Sequence, residues 1–398
     1  MSSYNKEILI IEYDEKKFMI TAGLQDEELN FKIIETEIIP TNNIKDGKII
    51  NLESSINDLK KGLSLIEKKT NIIFSEASVI TNHNNFDCIN ISGFKKINGN
   101  QVLEDDISFI LNDIKAKISN SEKSKTIVHL FNTKFILDKN ATKNLPIGLY
   151  GDFYSHQLTF FLMENDEIKK IKKLLNKSNL NLERLILKSF TEGIELVDKS
   201  NNGSFIKIFL GSNRSNLTFF NNSAYSYFEN FNFGTDIIYK DISKVCSLNL
   251  SSVKHIFKEI NFEKVENKSD YFIDKKYFDT NFKKISLDHI NKVSASRIEE
   301  LIEIIFNRNI NIKNLDIDEL PIYLVIEDDN ILSSFGSIFK KFFNKKKESV
   351  LVKQDNLDKA TSIQSFGELL SRGWSSEAIP IAQKKTSVIS RFFSLFFD

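Results

Sequence analysis

The sequence predicts an α/β protein with two or more domains, and three observations support this fold class. The chain has 398 residues, which is long enough for more than one hydrophobic core. Stretches in which apolar and polar side chains alternate are interleaved with stretches of helical period. No run of about 18 apolar residues occurs, so no segment is expected to cross a bilayer. This interleaving favours sheets that are covered by layers of helices.

The N-terminal part of the chain shows this interleaving in order. Residues 6–13, 17–24 and 29–39 alternate or run apolar between polar breaks, which predicts a meander of strands. Residues 51–70 then switch to a helical period with one apolar stripe. Residues 74–81 return to a strand pattern. We therefore expect several strands, a helix and another strand in one layered unit.

Residues 81–163 form a second block with its own helix and strands. Residues 104–118 are amphipathic and carry acidic residues in the first turn, where the helix dipole favours them. Residues 126–138 and 155–163 read as strands, and the stretch 144–152 between them is rich in turn residues.

The remaining chain continues the alternation. The predicted strands are 204–210, 216–221 and 321–327. The predicted helices are 165–178, 251–260, 296–307, 330–347 and 360–374. From Ser376 the folded pattern stops, and the short polar stretch 376–386 is expected to be a linker.

The composition excludes several classes of function. The 54 basic and 54 acidic side chains cancel, so no overall attraction to nucleic acid is expected. The two cysteines, Cys88 and Cys246, are too few for a disulfide framework. The histidines show no ligand spacing and no nucleophile motif occurs, so neither a metal site nor an enzyme is predicted. The charged residues 1–17 are unlike a secretory signal, which favours the cytoplasm.

The last residues, 387–398, are the most apolar stretch and predict an amphipathic helix. On a helical wheel one arc of about 200° holds all the apolar side chains. These are Val388, Ile389, Phe392, Phe393, Leu395, Phe396 and Phe397. Arg391 lies on the opposite face. Such a helix is about 18 Å long, too short for a bilayer core of about 30 Å, but it suits the membrane interface.

The expected strength of this anchor is modest. Each buried phenylalanine contributes about 1.5–3 kcal/mol, and helix ordering offsets a large share of that gain. One copy should therefore bind membranes reversibly, and several copies in an array should bind firmly. The alternative is a terminal helix that docks on the protein's own core, although such a helix would not need a polar linker.

The order of these segments, with several local motifs, resembles the FtsA family over nearly the whole chain. FtsA is an actin-like bacterial cell-division family that tethers tubulin-like FtsZ filaments to the inner membrane. The segments TIVHLFNTKFILD and NLPIGLYGDFYSHQLTFF resemble motifs of the family's extra subdomain. The residues that carry these matches are His129, Asp138, Pro146, Gly148, Gly151 and His156.

The resemblance implies an α/β, actin-like (ribonuclease H-like) fold with two domains, the extra subdomain and a C-terminal amphipathic helix. The implied subdomains are 1–80 with 164–190, 81–163, 191–224 with 300–375, and 225–299, followed by the linker 376–386 and the membrane helix 387–398. It also implies a place at the cytoplasmic face of the inner membrane, at the division site.

The three loops that hold ATP in actin-like proteins depart from the family's pattern here. The first phosphate loop falls on residues 12–17, where Glu12, Asp14 and Glu15 add carboxylates. The second falls on FLGSNRSN, which keeps only Gly211, and a related turn carries Gly234. The remaining loop positions are Ser215 and Asn216 in the second phosphate loop and Glu327, Asp328 and Asp329 in the adenosine loop.

Carboxylates repel a triphosphate, and phosphate loops need glycines so that backbone N–H groups can approach. We therefore expect no cofactor and weak or absent ATP binding, with ATP and Mg²⁺ held only if the loops are misaligned. A polymerising, nucleotide-dependent ATPase of the same family remains the alternative.

The partners follow from the resemblance. The segment SRIEELIEII resembles the family helix that receives the FtsZ tail, with Arg297 and Glu300 one turn apart on one face. Arg297 is expected to pair with a carboxylate of that tail, and Glu300 with a basic residue. Other expected partners are anionic membrane, further copies of the chain in filaments, and later division proteins at residues 81–163, but no nucleic acid. A second alternative is a pilus-assembly-type adaptor that binds a membrane protein's tail.

Overall fold

The chain folds into two compact units of stacked sheets and helices in the computed structural model. The structure describes residues 6–82, 86–142, 144–197, 199–266, 268–278, 282–313, 315, 320–343, 349–353, 359–374 and 376–378. The first unit comprises Met1–Gly203, Phe220–Tyr227 and Lys359–Asp398. The second comprises Ser204–Phe219 and Phe228–Asp358.

The first unit is built on a five-stranded sheet of order β11-β6-β1-β2-β3. Its strands are β1 (Lys6–Tyr13), β2 (Lys17–Gln25), β3 (Phe31–Pro40), β6 (Glu76–Thr81) and β11 (Asn181–Leu187). Strands β1 to β3 form an antiparallel meander, and β6 and β11 are added in parallel. The short hairpin β4 (Ile44–Lys45) and β5 (Lys48–Ile49) precedes the first helix.

Helices cover both faces of this sheet. They are α1 (Leu52–Thr70), α3 (Asn165–Lys177), α4 (Lys188–Val197) and α9 (Lys359–Arg372). Gly62 of α1 lies against Ile20 and Ile39, where an added Cβ would be 2.4 Å from Ile20 Cδ1. Gly367 of α9 lies against the Phe31 ring on the other face. Helix α3 packs beside α1 and against β11.

A second sheet in the first unit corresponds to the block 81–163, and its order is β17-β8-β10-β7. Its strands are β7 (Asp87–Lys96), β8 (Lys125–Leu137), β10 (Phe153–Glu164) and β17 (Glu377–Ala378), with β9 (Asn140–Thr142) paired to β8. Helix α2 (Glu104–Ser121) packs on one face around a buried aliphatic core. Asp106 accepts the Leu103 N–H at 2.7 Å, which caps the start of α2.

The second unit has a five-stranded sheet of order β14-β13-β12-β15-β16. Its strands are β12 (Phe205–Leu210), β13 (Ser215–Asn221), β14 (Ala224–Phe231), β15 (Ile322–Ile326) and β16 (Ser349–Lys353). Residues 220–227, at the β13–β14 turn, cluster with the first unit. As in the first unit, a three-strand meander is extended by two parallel strands.

The helices of the second unit are α5 (Asp236–Cys246), α6 (Leu250–Glu259), α7 (Leu287–Ile302) and α8 (Asp329–Phe343). A π-helical turn, Glu303–Asn307, continues α7. The aromatic rings of Tyr239, Phe257, Phe262 and Phe335 pack together between these helices.

The observed layering confirms the predicted α/β class, and it also corrects one expectation. Residues 376–378 do not begin a linker, because Glu377 and Ala378 pair with Phe131 and Leu130 as strand β17. The buried Glu377 carboxylate fixes this short strand. Strands β7 and β14 were not predicted. Helix α9 belongs to the first unit, whereas the division by resemblance assigns its residues to the second domain.

Candidate functional site

The first candidate phosphate loop is a tight turn between β1 and β2 that is closed by its own carboxylate. Asp14 Oδ1 accepts the backbone N–H of Lys16 at 2.8 Å and that of Lys17 at 3.0 Å. The Asp14 N–H donates to the Lys17 carbonyl at 3.0 Å. The N–H groups that a phosphate would need at this turn are therefore already bonded to the chain itself.

Two further carboxylates of this loop also have partners in the first unit. Glu12 is buried at the end of β1, and its Oε1 lies 2.6 Å from Nζ of Lys188. Burial opposes the charge of Lys188, but the facing Glu12 outweighs it and raises the lysine pKa. Glu15 Oε1 accepts the N–H of Asp46 at 2.9 Å. The loop is thus rich in negative charge and internally bonded.

The second candidate phosphate loop lies in the second unit, directly after β12. The Ser212 N–H donates to Glu327 Oε2 at 2.9 Å, and the Ser212 hydroxyl lies 3.4 Å from the same oxygen. The Glu327 N–H donates in turn to the Leu210 carbonyl at 2.9 Å. A carboxylate of the candidate adenosine loop therefore occupies the position where an anion would meet this phosphate loop.

Backbone contacts hold the second loop against the start of α5. The N–H groups of Thr235 and Asp236 donate to the carbonyls of Gly211 and Ser212, both at 2.9 Å. A Cβ added at Gly234 would lie 2.1 Å from the Gly211 carbonyl, so this close approach requires glycine.

The other predicted residues of the second loop have structural positions. Ser215 donates from its hydroxyl to the Phe233 carbonyl at 2.8 Å, and Asn216 lies within β13.

The candidate adenosine loop starts helix α8. Asp328 Oδ1 accepts the N–H groups of Asn330 at 2.9 Å and Ile331 at 3.2 Å, and so caps the helix. Its Oδ2 accepts the Tyr239 hydroxyl at 2.8 Å. Burial and, next, the Asp328 charge raise the pKa of Tyr239, so this phenol stays protonated. Asp329 is the first residue of α8.

The two candidate phosphate loops share one feature, which is that carboxylates of the chain itself accept their backbone N–H groups. An ATP site needs free N–H groups and cations, whereas carboxylates here occupy backbone donors in both phosphate loops. Two like charges about 4 Å apart repel by about 4 kcal/mol at an effective dielectric constant of 20. Among the described residues, no three histidine, cysteine, aspartate or glutamate side chains gather as a metal site.

The predicted partner helix is α7, and the structure brings Arg297 and Glu300 together on it. Arg297 Nη1 lies 2.6 Å from Glu300 Oε2. Arg297 Nε donates to the Asp241 carboxylate of α5, a contact that the sequence analysis missed because Asp241 lies 56 positions away. The Arg297 side chain is 24% exposed and that of Glu300 is 52% exposed. Arg297 is therefore accessible but already shared between two acids.

Exposed apolar residues follow this pair along the chain, and sequence reasoning also missed them. Ile304, in the π-helical turn, is 45% exposed, and Ile310 beyond it is 69% exposed. Arg308 is largely exposed and pairs with Glu303 at 2.7 Å. A π-turn in a helix often marks a functional site, but it is seen only in the structure and not in the sequence. The end of α7 thus combines charges of both signs with accessible aliphatic side chains.

The motif residues of the block 81–163 have structural roles. Asp138 has φ +49° and accepts the N–H groups of Asp152 and Phe153, each at 2.8 Å. A Cβ at Gly151 would lie 2.5 Å from Leu137 Cδ1, so glycine is needed there. The buried His156 bonds to Asn132 at 3.0 Å. The Pro146 carbonyl accepts the Leu149 N–H at 3.1 Å, and Gly148 has φ +81°.

The predicted membrane helix, 387–398, lies outside the described residues. Within the part of the chain that the structure describes, no helix is both long and apolar enough to span a bilayer.

Comparison with known proteins identifies two curated relatives with the same name. The chain is 23% identical to the cell division protein FtsA of Buchnera aphidicola subsp. Schizaphis graminum over 312 residues, covering 77% of this chain and 74% of that protein. It is 22% identical to the cell division protein FtsA of Helicobacter pylori over 177 residues, covering 44% of this chain and 36% of that protein. No protein-family model matches the chain.

Solved structures share the fold at low identity. The PilM–PilN complex of type IV pilus biogenesis superposes with a TM-score of 0.51 at 10% identity, over 98% of this chain and 97% of that one. A nucleotide-free diol dehydratase-reactivating factor superposes with a TM-score of 0.50 at 8% identity, over 92% and 99%. The two relatives show that the chain is similar to FtsA in sequence, and these solved structures, together with the repeated sheet topology, show an actin-like fold.

Proposed function

We propose that this protein is a non-enzymatic cell-division adaptor that tethers FtsZ filaments to the cytoplasmic face of the inner membrane at the division site. The observation that carries the proposal is the similarity to FtsA of Buchnera, which extends over most of both chains. Two segments supply the two ends of the tether, namely the end of α7 and the amphipathic residues 387–398.

The FtsZ-binding end of the tether is the surface around Arg297. A flexible peptide tail that carries acidic, basic and apolar residues needs complementary partners on a receiving helix. Arg297 and Glu300 offer one charge of each sign, and Ile304 offers exposed apolar area beside them. An acidic group of the tail would compete with Asp241 for the guanidinium, so the pairing is an exchange of partners rather than a new ion pair.

The membrane end of the tether is the tail. Its phenylalanines fall on one face and Arg391 on the other, as an interfacial helix requires. Strand β17 holds the chain at Ala378, so the residues between β17 and the helix are the tether. Eight extended residues, 379–386, span at most about 29 Å. That length lets the helix reach a membrane while β17 stays in place.

The adaptor does not depend on ATP in this proposal. The support is the internal bonding of both candidate phosphate loops by Asp14 and Glu327. A polymerising ATPase would need these donors free, so saturable ATP binding would favour that alternative. Self-association remains part of the proposal because an array of copies would strengthen so short an anchor by avidity.

Later division proteins are proposed to dock on the block 81–163. Gly93 of β7 faces α2, since an added Cβ would lie 2.3 Å from Ile110. The next residue, Phe94, therefore faces away and is 71% exposed. Phe153 of β10 is also exposed, and Lys96 Nζ lies 5.7 Å from its ring centre. Exposed aromatic rings beside a lysine suit a protein partner.

The test is reconstitution on anionic liposomes with purified FtsZ of the same organism. The intact protein should carry FtsZ filaments to floating vesicles. A Phe392→Ser/Phe396→Ser variant should leave both proteins in solution, and Arg297→Ala should float without FtsZ. FtsZ that floats equally well with the Arg297→Ala variant would place the binding surface elsewhere, and an intact protein that does not float would end the tether proposal.

One alternative has an observation of its own. The match to the PilM–PilN complex covers 98% of the chain, which favours a soluble adaptor that binds a membrane protein's tail. Such an adaptor needs no lipid-binding helix. The same flotation experiment separates the two, because only the tether requires the phenylalanines of the tail.

A further inference from the structure

Helix α3 presents a row of lysines to solvent. Its buried face consists of Ile168, Ile171, Leu174 and Leu175. The opposite, exposed face carries Lys169, Lys172, Lys173, Asn176 and Lys177. Lys169 pairs with Asp166 at 3.0 Å, but both side chains are largely exposed and such a pair contributes little. The face is therefore strongly positive along two turns of helix.

Helix α1 packs beside α3 and adds further lysines. Its exposed side carries Lys60, Lys61 and Lys68, whereas Lys69 pairs with Glu37 at 2.5 Å. The exposed acids on the two helices are Glu53 and Asp166, which lie in the first turns, and the half-buried Glu67 near the end of α1 accepts the Phe74 N–H at 3.3 Å. Positive charge therefore dominates toward the C-terminal ends of both helices.

An exposed isoleucine lies at this positive end. The loop after α1 joins β6, and the loop after α3 joins β11. The two loops meet where the Asn181 N–H donates to the Ser75 carbonyl at 2.9 Å. Ile73, in the first of these loops, is 87% exposed, the largest value among the exposed large apolar side chains of the described residues. Ile73 thus follows Lys68 by five positions, in a loop that is hydrogen-bonded to the loop after Lys177.

We propose that this α1/α3 surface, formed by Lys68, Ile73, Lys172, Lys173 and Lys177, is a second membrane contact that binds anionic lipid headgroups. Ile73 enters the headgroup boundary while the lysines lie over the phosphates. The inference deepens the proposed membrane tethering and rests on it. A single short amphipathic anchor binds weakly, and stable attachment takes a second signal such as a basic patch.

The chemistry of the surface favours lipid over nucleic acid. A polyanion such as DNA would use the lysines but would leave Ile73 in water. Recognition of single strands also relies on aromatic stacking, and the exposed residues of the α3 face include no aromatic ring. An anionic bilayer uses both the charges and the aliphatic side chain.

The experiment measures binding of the full-length chain to vesicles of phosphatidylglycerol and phosphatidylethanolamine at low salt. The test variant is Lys172→Gln/Lys173→Gln/Lys177→Gln, since glutamine keeps helix propensity. The matched control is Lys244→Gln/Lys264→Gln/Lys313→Gln, three exposed lysines of the second unit. Ile73→Ser tests the apolar contribution, and Phe392→Ser/Phe396→Ser tests the tail separately.

Each lysine near an anionic surface strengthens binding about fivefold. The α3 variant should therefore lose about tenfold to a hundredfold in affinity, Ile73→Ser should lose severalfold, and the control should match the wild type.

An α3 variant that binds like the wild type or like the control overturns the proposal. If only the tail variant loses vesicle binding, the result supports the tether and rejects this surface. If only the α3 variant loses vesicle binding, the result supports this surface and rejects the tail as the anchor. Tighter binding to duplex DNA than to vesicles, abolished in the α3 variant, would also overturn it.

Discussion

Glu377, at the end of the described chain, places its Oε1 2.6 Å from Nδ1 of His129, a residue 248 positions earlier. The His129 Nε2 accepts the N–H of Leu187 at 3.1 Å, so the proton resides on Nδ1 and is donated to the carboxylate. Arg184 donates to the other oxygen of Glu377 at 2.5 Å. This buried triad holds strand β17 against β8 in the first unit.

The first prediction concerns the loss of this carboxylate. Glu377→Ala leaves Arg184 buried without its counter-charge, which should lower the free energy of unfolding by about 3–5 kcal/mol. Trp374 is the only tryptophan, and its indole donates to the Ser223 carbonyl at 2.6 Å. Its fluorescence should therefore shift to the red as β17 detaches, before the rest of the chain unfolds.

Urea titration followed by circular dichroism and by tryptophan emission measures both effects. Glu368→Ala, at an exposed position of α9, is the control and should change stability by less than about 0.5 kcal/mol. Equal stability of the two variants would show that the triad does not hold strand β17 in place.

The second prediction is a loss of stability in mild acid. Burial lowers the pKa of His156 to about 3, and burial also lowers that of His129 although Glu377 opposes it. Between pH 6.5 and 3 the unfolded chain therefore binds protons that the folded chain refuses, so stability falls as the pH falls. Between its folded and unfolded pKa values, His156 contributes a slope of about 1.4 kcal/mol per pH unit.

Protonation of Glu377 also lowers the stability of the fold as the pH falls, but at lower pH than the histidines. Burial alone would raise its pKa, but Arg184 and then His129 outweigh burial and lower it below 4.5. Its contribution is thus present above pH 4.5 and lost as the pH falls through the folded value. Melting temperatures measured across this range should be flatter for His156→Phe, and an unchanged slope in that variant would contradict the assignment.

Sequence patterns predicted those strands that are buried and whose partners are close in the sequence. The apolar run in 6–13 and the apolar stretch in 17–24 predicted β1 and β2, since both strands are buried and neighbours in sequence. Edge strand β7 was missed because only Ile89 and Ile91 mark its core-facing side, and most of its residues are exposed or half-buried. Strand β17 has two residues, and only distant partners such as His129 define it.

In the candidate sites too, the sequence predicted contacts between residues that are close in the chain and missed contacts between distant ones. The helical spacing of Arg297 and Glu300 follows from sequence, because i and i+3 residues share a face. The third member, Asp241, comes from another helix and leaves no local signal. The acidic character of the nucleotide loops was visible in the sequence. Their internal bonding, such as Glu327 with the Ser212 N–H, depended on how the loops meet.

The third prediction is that Mg²⁺–ATP does not stabilise the protein. A dissociation constant of about 1 mM or weaker adds at most ~0.4 kcal/mol at about 1 mM ligand. The melting temperature should therefore rise by less than about 1 °C. Calorimetry should show no saturable heat. Micromolar binding would instead favour the ATPase alternative, and a loss of that binding in a Gly211→Val variant would locate it at the second loop.

The last prediction uses the competition for Arg297. Asp241 shares the guanidinium with Glu300, so Asp241→Asn removes one of the two competing charges. A peptide with the acidic C-terminal tail of FtsZ should then bind about twofold to fivefold more tightly, the range expected for a partly exposed ion pair. Arg297→Ala should weaken binding, and the double variant should bind no better than Arg297→Ala alone.

Fluorescence anisotropy with a labelled peptide measures these affinities. The control is Asp288→Asn on the same helix, where the carboxylate pairs with Lys292 at 2.8 Å and not with Arg297. It should leave the affinity unchanged, because it removes the same charge without freeing the guanidinium. If Asp241→Asn and Asp288→Asn strengthen binding equally, the gain reflects net charge rather than release of Arg297, and the receiving surface for the tail does not include this arginine.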